Sequence, residues 1–284
     1  EAIECTGSVR WRKPHQLAVL ALFKNEAHIL AEWVAHYADQ GATAIHLVNN
    51  NSSDDFVTPL KPYLERGLVT LHHDARIHAQ RDIYNDHLRH LRPLCEWLLI
   101  CDLDEFVYAR GGATDCASLL KTLKPWISSI HIPWKMYGSS GHQSQPVEGV
   151  RAGFLQRVNC DDQLKPHPCM PNPSIIPSKY IARCSRIRSV DVHNCNLLWG
   201  RKILADGTRA RPGSFQLISE RILQRSRFHL NHYAVQSEQI FRAIKMTRGD
   251  VNDASYTNVR DMRYFHDYDR NDLLDDELAR HSSS

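Results

Sequence analysis

The chain has 284 residues, 42% of them hydrophobic and 24% charged, a balance typical of a globular protein with a substantial core. Its formal net charge is only +3 with the histidines neutral, and no block of lysine or arginine stands out, which argues against a nucleic-acid partner. No apolar stretch reaches the length of a membrane span and no signal peptide is visible, but the first residue is Glu1, so a removed upstream anchor stays open.

Apolar runs and helical patterns alternate through the first 110 residues. This alternation predicts an α/β fold with a mainly parallel sheet, right-handed crossovers and helices on its faces. The predicted strands are 17–23, 44–48, 68–72 and 97–101. The predicted helices end at Gly41, near Arg66 and at residue 91.

The fourth apolar run leads directly into three acids, Asp102, Asp104 and Glu105. Side chains two residues apart on a strand point to the same face, so Asp102 and Asp104 converge if the extended conformation persists. Ligands of open α/β sheets bind outside the carboxyl ends of the strands. Two carboxylates at such an edge suit Mg²⁺ or Mn²⁺ bound together with a substrate phosphate. The alternative is a pair of solvated acids that ends a strand.

The second half of the chain is less regular, and no clean linker divides it from the first, so we predict a single domain over residues 1–284. A loop at 166–177 carries five prolines and is excluded from regular structure. The elements expected around it are helix 115–123, strands 127–134, 187–193 and 227–233, and helices 236–248 and 272–280.

Eight cysteines are present and none forms a Cys-x-x-Cys pair. Four fall in the loop-rich region and could form two disulfides or a zinc site, although free thiols are favoured. These four are Cys160, Cys169, Cys184 and Cys195.

Short motifs follow one another through residues 18–250. The first half contains Lys24-Asn25-Glu26, Glu32-Trp33-Val34, Asn49-Asn50-Asn51-Ser52-Ser53-Asp54, Gln80-Arg81, Tyr84-Asn85 and Asp102-Leu103-Asp104-Glu105-Phe106. The second half contains Trp134, Tyr137-Gly138-Ser139-Ser140-Gly141-His142, Val192-His193, Asn231-His232-Tyr233, Ser237, Lys245 and Arg248-Gly249. In this order the motifs resemble glycosyltransferases of family 92 and their family 2-like relatives, which share the GT-A nucleotide-sugar fold. Tyr137, where the family often has Phe, and the proline-rich loop depart from the pattern.

The resemblance implies a metal-dependent enzyme that moves a sugar from a nucleotide-diphosphate donor, with a UDP sugar favoured, to a hydroxyl of a glycan with inversion. Residues 17–110 would bind the nucleotide sugar, and residues 111–270 would bind the acceptor and complete the metal site. The implied ligands of Mn²⁺ or Mg²⁺ are Asp102, Asp104 and His193, with His232 as the rival imidazole.

Further site residues follow from the same resemblance, although turns, caps and solvated helix faces would also explain most of them. The expected donor-binding residues are Lys24, Asn25, Glu26, Asn50, Asp54, Gln80, Arg81, Asp102, Lys245 and Arg248. The candidates for the catalytic base are Glu105, His142, Glu148 and Asp191. The candidates for acceptor contact are Trp134, Tyr137 and Ser140.

Two other functions fit parts of the pattern. Residues 100–104 are similar to the nucleophile motif of haloacid-dehalogenase phosphohydrolases, with Asp102 attacking phosphorus. That family usually has Thr or Val where Phe106 stands and places its motif on an early strand, whereas here three β/α units precede it. A non-catalytic carbohydrate-binding protein is the third reading. The compartment stays open, with the cytoplasm of a bacterial or viral-type system favoured over the Golgi lumen.

Overall fold

The computed structural model describes residues 13–162, 178–210, 219–247 and 260–281. Its strands are β1 (His15–Phe23), β2 (Ala44–Asn49), β3 (Val69–His73), β4 (Cys95–Ile100), β5 (Glu105–Ala109), β6 (Ile127–Met136), β7 (Gln156–Arg157), β8 (Ser178–Arg183), β9 (Ile187–Val190), β10 (Cys195–Leu197), β11 (Arg201–Leu204), β12 (Phe228–His232) and β13 (Leu273–Leu274). Its helices are α1 (Ala27–Asp39), α2 (Val57–Glu65), α3 (Gln80–Leu91), α4 (Cys116–Lys121), α5 (Val150–Gly153), α6 (Glu220–Arg225), α7 (Glu238–Ala243), α8 (Met262–Tyr268) and α9 (Glu277–His281). None of these described helices is long and apolar enough to cross a membrane.

One large sheet organises the molecule, with the strand order β3-β2-β1-β4-β8-β6-β12-β5 and with β11 added beside β6. The first four strands in this order pair in parallel, as the alternating pattern predicts. From β4 onward the sheet is mixed, because β8 runs antiparallel to both β4 and β6. The predicted α/β class with a mainly parallel sheet is confirmed.

Alternate side chains of β1 pack into two separate clusters, one on each face of the sheet. Leu17, Val19 and Phe23 join the cluster that contains Trp33 of α1. Leu20 joins the opposite cluster, which includes residues of α3. A strand covered on both faces is apolar at every position, which explains its continuous apolar run.

Several second-half predictions are wrong in extent. The strand expected over 187–193 stops at Val190, where the chain turns to pair with β10. The helix expected over 236–248 ends at Ala243 and is followed by a 3-10 turn, Lys245–Thr247. The terminal helix expected over 272–280 is instead β13, which pairs with β7, and then α9. Strands β8 and β11 were not predicted.

Candidate active site

The acidic motif lies in a tight turn between β4 and β5 and does not continue a strand. The backbone N–H of Glu105 donates to the Asp102 carbonyl at 3.1 Å, which closes the turn. From α1, the indole N–H of Trp33 donates to the same carbonyl at 3.0 Å, and the Tyr37 hydroxyl donates to the Glu105 carbonyl at 3.0 Å. The expected extended conformation is therefore wrong, and side chains buried in α1 hold the turn at the carboxyl edge of the sheet.

Asp102 is paired with a buried lysine from the neighbouring strand. The Lys179 ammonium of β8 lies 2.8 Å from Asp102 Oδ2 and 3.5 Å from Glu105 Oε2, and its side chain is fully buried. Burial by itself would raise the pKa of Asp102, but Lys179 outweighs it and holds that pKa below its usual range. A charged carboxylate and a charged ammonium therefore face each other at this edge.

Glu105 is a fully buried carboxyl beneath this pair. Its Oε2 accepts the backbone N–H of Asp102 at 2.9 Å. Burial raises the pKa of Glu105 to about 8, reinforced by Asp102 and Asp104 and opposed by Lys179. Glu105 supports the turn from inside the protein, and its burial keeps it from contact with an acceptor hydroxyl.

A second buried pair forms around Asp104. The ammonium of Lys245, from the 3-10 turn after α7, donates to Asp104 Oδ2 and lies 3.6 Å from Glu26 Oε1. Nε2 of His232, at the end of β12, lies 3.5 Å from Asp104 Oδ1. Burial opposes ionisation, yet Lys245 and His232 hold the pKa of Asp104 well below its usual range. Residues from four separate parts of the chain thus meet at one acidic motif.

Trp134 connects the two imidazoles that sequence reasoning considered as metal ligands. Its ring centroid lies 4.1 Å from that of His232 and 5.2 Å from that of His193. Nδ1 of His193 lies 3.3 Å from the Ser178 carbonyl, one residue before Lys179. Burial and Lys179 lower the pKa of His193 to about 3, so it is neutral at pH 7.

Buried polar atoms without a hydrogen-bond partner in the described structure gather at this edge. They include Trp134 Nε1, Ser178 Oγ, His232 Nδ1 and Glu105 Oε1. Native proteins satisfy almost all buried polar atoms, so a group of exceptions calls for an explanation such as a bound ligand.

The donor atoms suit a hard divalent cation, because two carboxylates and two imidazoles lie along one edge. Each carboxylate is nevertheless engaged by an ammonium, from Lys179 or Lys245. Across the described ranges, no three Asp, Glu, His or Cys side chains are arranged to hold a metal ion. The residue types therefore fit a metal, and binding one would require Lys245 to leave Asp104.

Most of the expected donor-loop residues serve the fold locally. Asp54 Oδ2 accepts the N–H of Ala27 at 2.8 Å at the start of α1, and Asn50 donates to two carbonyls after β3. Asn25 has a positive φ of 53° and accepts the Ser53 N–H through its side chain at 2.7 Å. These contacts join the loops after β1, β2 and β3 into one rim beside the acidic turn.

Other expected donor residues sit closer to the motif or border it. Gln80, at the start of α3, lies 3.5 Å from Asp102 Oδ1, and Glu26 faces Lys245. Lys24 follows β1 at the same edge, while Arg81 is exposed on the first turn of α3. Arg248 lies outside the described residues.

The other base candidates contact the fold away from the paired acids. Asp191 is exposed in the turn after β9, and its Oδ1 accepts the Val192 N–H at 2.7 Å. Nε2 of His142 lies 3.0 Å from the Gly153 carbonyl. Neither contact involves the acidic turn.

The three expected acceptor residues have different surroundings. Trp134 packs on His232, within the cluster described above. The Tyr137 hydroxyl donates to the Asp275 carbonyl at 3.0 Å, and Ser140 Oγ accepts two backbone N–H groups near β7. Only Trp134 of these three therefore contacts the group of residues around the acidic turn through the contacts just given.

Lys179 was missed by the sequence analysis, although a signal was present. It is a lone lysine at the start of the otherwise apolar stretch Tyr180–Ala182. A lysine fully buried within a strand needs a carboxylate partner, which points back to the acidic turn.

The model of glycosyltransferase family 92 matches residues 17–280, nearly the whole chain. The chain belongs to glycosyltransferase family 92. The predicted resemblance and enzyme class are confirmed at that level.

Individual relatives are more distant. A family 92 protein of Oryza sativa subsp. japonica is 28% identical over 170 residues, which cover 58% of this chain and 29% of that protein. The galactan beta-1,4-galactosyltransferase GALS3 of Arabidopsis thaliana is 31% identical over 105 residues, which cover 34% of this chain and 21% of that protein. The matched part thus spans less than a third of these curated relatives. Among solved structures, S. aureus TarS 1-349 with UDP-GlcNAc matches with a TM-score of 0.37 and 13% identity over 60% of this chain and 46% of that one, a likeness too low to carry an argument.

Proposed function

We propose that this domain transfers a sugar from a nucleotide-diphosphate donor, with UDP as the favoured nucleotide, to a hydroxyl group of a glycan, with inversion at the transferred carbon. Family membership supports the reaction class. The observation that carries the site is the buried charge arrangement at the acidic turn, where Lys179 and Lys245 meet Asp102 and Asp104.

The chemical demand of the reaction matches these charges. A nucleoside diphosphate leaves with growing negative charge, and positive groups held in a low-dielectric site stabilise that charge without proton transfer. Lys179 and Lys245 are both buried and approach the edge from opposite sides of the turn. On donor binding, we expect one or both ammoniums to share their contact between a carboxylate and a phosphate oxygen.

A divalent cation, Mn²⁺ or Mg²⁺, is part of the proposal. Asp104 would hold it together with Asp102 and His193, and His232 is the second imidazole available. The cation would add positive charge at the diphosphate. What this chain contributes independently is orientation: Glu105 fixes the Asp102 backbone, and Trp134 fixes the His232 ring.

Acceptor activation requires a group that accepts the hydroxyl proton. Of the base candidates with their surroundings described above, Asp191 is exposed and borders the His193 turn, whereas Glu105 is sealed in the interior. We therefore propose Asp191 ahead of Glu105 and His142 for this role. Asp191→Asn should then lower turnover while leaving nucleotide affinity unchanged.

The test is release of nucleoside diphosphate from a panel of UDP and GDP sugars, with and without Mn²⁺, in the presence of β-1,4-galactan oligosaccharides and other glycans. That acceptor is chosen because two relatives are named as galactan galactosyltransferases. Acceptor-dependent release from one donor class, lost in Asp104→Asn, supports the proposal. Phosphate release from simple phosphomonoesters that is lost in Asp102→Asn would support the phosphohydrolase instead. Glycan binding without nucleotide binding would support a non-catalytic module.

A further inference from the structure

Two buried cysteines lie against each other on neighbouring strands, away from the acidic turn. Cys95 begins β4, and Cys184 follows the last residue of β8. Their sulfur atoms are 2.8 Å apart, and both side chains are fully buried. This separation is below the ~3.5–4.0 Å at which even two carbon atoms pack, and it exceeds an S–S bond of about 2.05 Å.

The other cysteines that the structure describes have different surroundings. Each of their sulfur atoms lies beside an oxygen or a nitrogen of another residue. The pairs are Cys101 with Tyr37, Cys116 with Gln40, Cys160 with Arg157 and Cys195 with Ser129. The contact between Cys95 and Cys184 is therefore a feature of these two positions and not of every buried thiol here.

The backbone geometry explains why the two thiols meet. Strands β4 and β8 are antiparallel, with Trp97 opposite Arg183, so Cys95 and Cys184 extend the same pairing by one or two residues on each strand. Both side chains belong to the core cluster on the α3 face. Neighbouring strands are separated by about 5 Å, within the Cα range that a disulfide spans.

We propose that Cys95 and Cys184 form a disulfide that covalently joins β4 to β8. The oxidant is an external disulfide such as oxidised glutathione. The thiolate of one cysteine attacks it and expels one glutathione thiolate, and the second cysteine then displaces the other. Two electrons pass to the glutathione disulfide, and the two thiol protons end on the two glutathione molecules. Because both sulfurs are buried, exchange takes place while the chain folds or opens locally.

The position of this bond gives it a consequence for the site. Asp102 follows the far end of β4, and Lys179 lies near the start of β8, so the same two strands carry both members of the buried pair. A covalent bond at the opposite ends of these strands fixes their register. It also closes a loop between cysteines 89 positions apart, which restricts the unfolded chain.

The test is thiol mapping of the whole chain after equilibration in reduced or oxidised glutathione. The protein is unfolded in an alkylating reagent, digested and analysed by mass spectrometry. We expect a linked Cys95–Cys184 peptide in the oxidised sample and two alkylated cysteines in the reduced one. Cys116→Ala, which removes another fully buried thiol, should keep the linked peptide, whereas Cys184→Ala should leave Cys95 alkylated.

A second measurement needs no variant. The thermal midpoint of the oxidised wild-type protein should exceed that of the reduced protein by roughly 5 °C or more, and the difference should vanish in Cys184→Ala. Recovery of both cysteines in alkylated form from correctly folded, oxidised protein would overturn the proposal, as would pairing of Cys95 with a different cysteine. Neither readout depends on sugar transfer.

Discussion

Replacing Lys179 by Met should both destabilise the domain and weaken nucleotide binding. Methionine preserves most of the side-chain volume while removing the charge, which leaves Asp102 and Glu105 without their ammonium. At the observed 2.8 Å, two unit charges attract by about 6 kcal/mol with an effective dielectric constant of about 20. The Asp102 side chain is 32% exposed, so water screens part of this energy. We therefore expect a loss of about 3 kcal/mol, at the lower end for breaking a buried ion pair.

The assay is a double-mutant cycle by chemical denaturation with Lys179→Met, Asp102→Asn and the combined variant. The combined variant should recover a substantial part of the loss, because it leaves no unpaired charge at that position. Lys135→Met is the matched control, since Lys135 is also fully buried and lies 3.0 Å from the Asp275 carboxylate. The control should also lose stability but retain nucleotide affinity. Additive losses in the cycle, or equal effects of both lysine variants on nucleotide binding, would refute the reasoning.

Two further predictions concern the fold. Gly200 has a φ of +99°, and a Cβ there would lie 1.7 Å from Ser128 Oγ, so Gly200→Ala should cost clearly more than Gly207→Ala, whose position at φ +86° is open and should cost about 1 kcal/mol; equal denaturation midpoints would contradict this. Burial and neighbouring histidines lower the pKa of His46 to about 4, so its contribution to stability is complete above the unfolded pKa near 6.5 and is lost as the pH falls toward 4. Between pH 7 and 5, wild-type protein should lose about 1 kcal/mol more than His46→Gln, and parallel curves would count against this. The titratable groups around His46 are His15, His72 and His87.

The parallel half of the sheet was predictable because its information is local. Strands covered on both faces are apolar throughout, and the helices between them repeat at helical spacing, as β1 and α1 show. The second half was harder because its strands are paired over long distances. Strand β8 lies between β4 and β6, which are separated from it in sequence by other elements, and no local pattern specifies that insertion.

The site shows the same division. The position of the acidic motif at the carboxyl edge followed from the apolar run before it. Its partners did not, because Lys179, His232 and Lys245 arrive from β8, β12 and the turn after α7. Polar loop residues such as Asp54 were expected at the donor pocket, and the hydrogen bonds that the structure shows for it hold the backbone, a use that residue type alone does not distinguish.

The most direct test of the proposed function is calorimetric titration of the domain with UDP, GDP and a nucleoside monophosphate, each with and without Mn²⁺. We predict that one diphosphate binds in a Mn²⁺-dependent manner, that Asp104→Asn abolishes this binding, and that Asp275→Asn, which removes a charge from a buried pair elsewhere, preserves it. The absence of diphosphate binding to the folded protein under every condition would contradict a nucleotide-sugar site at the acidic turn.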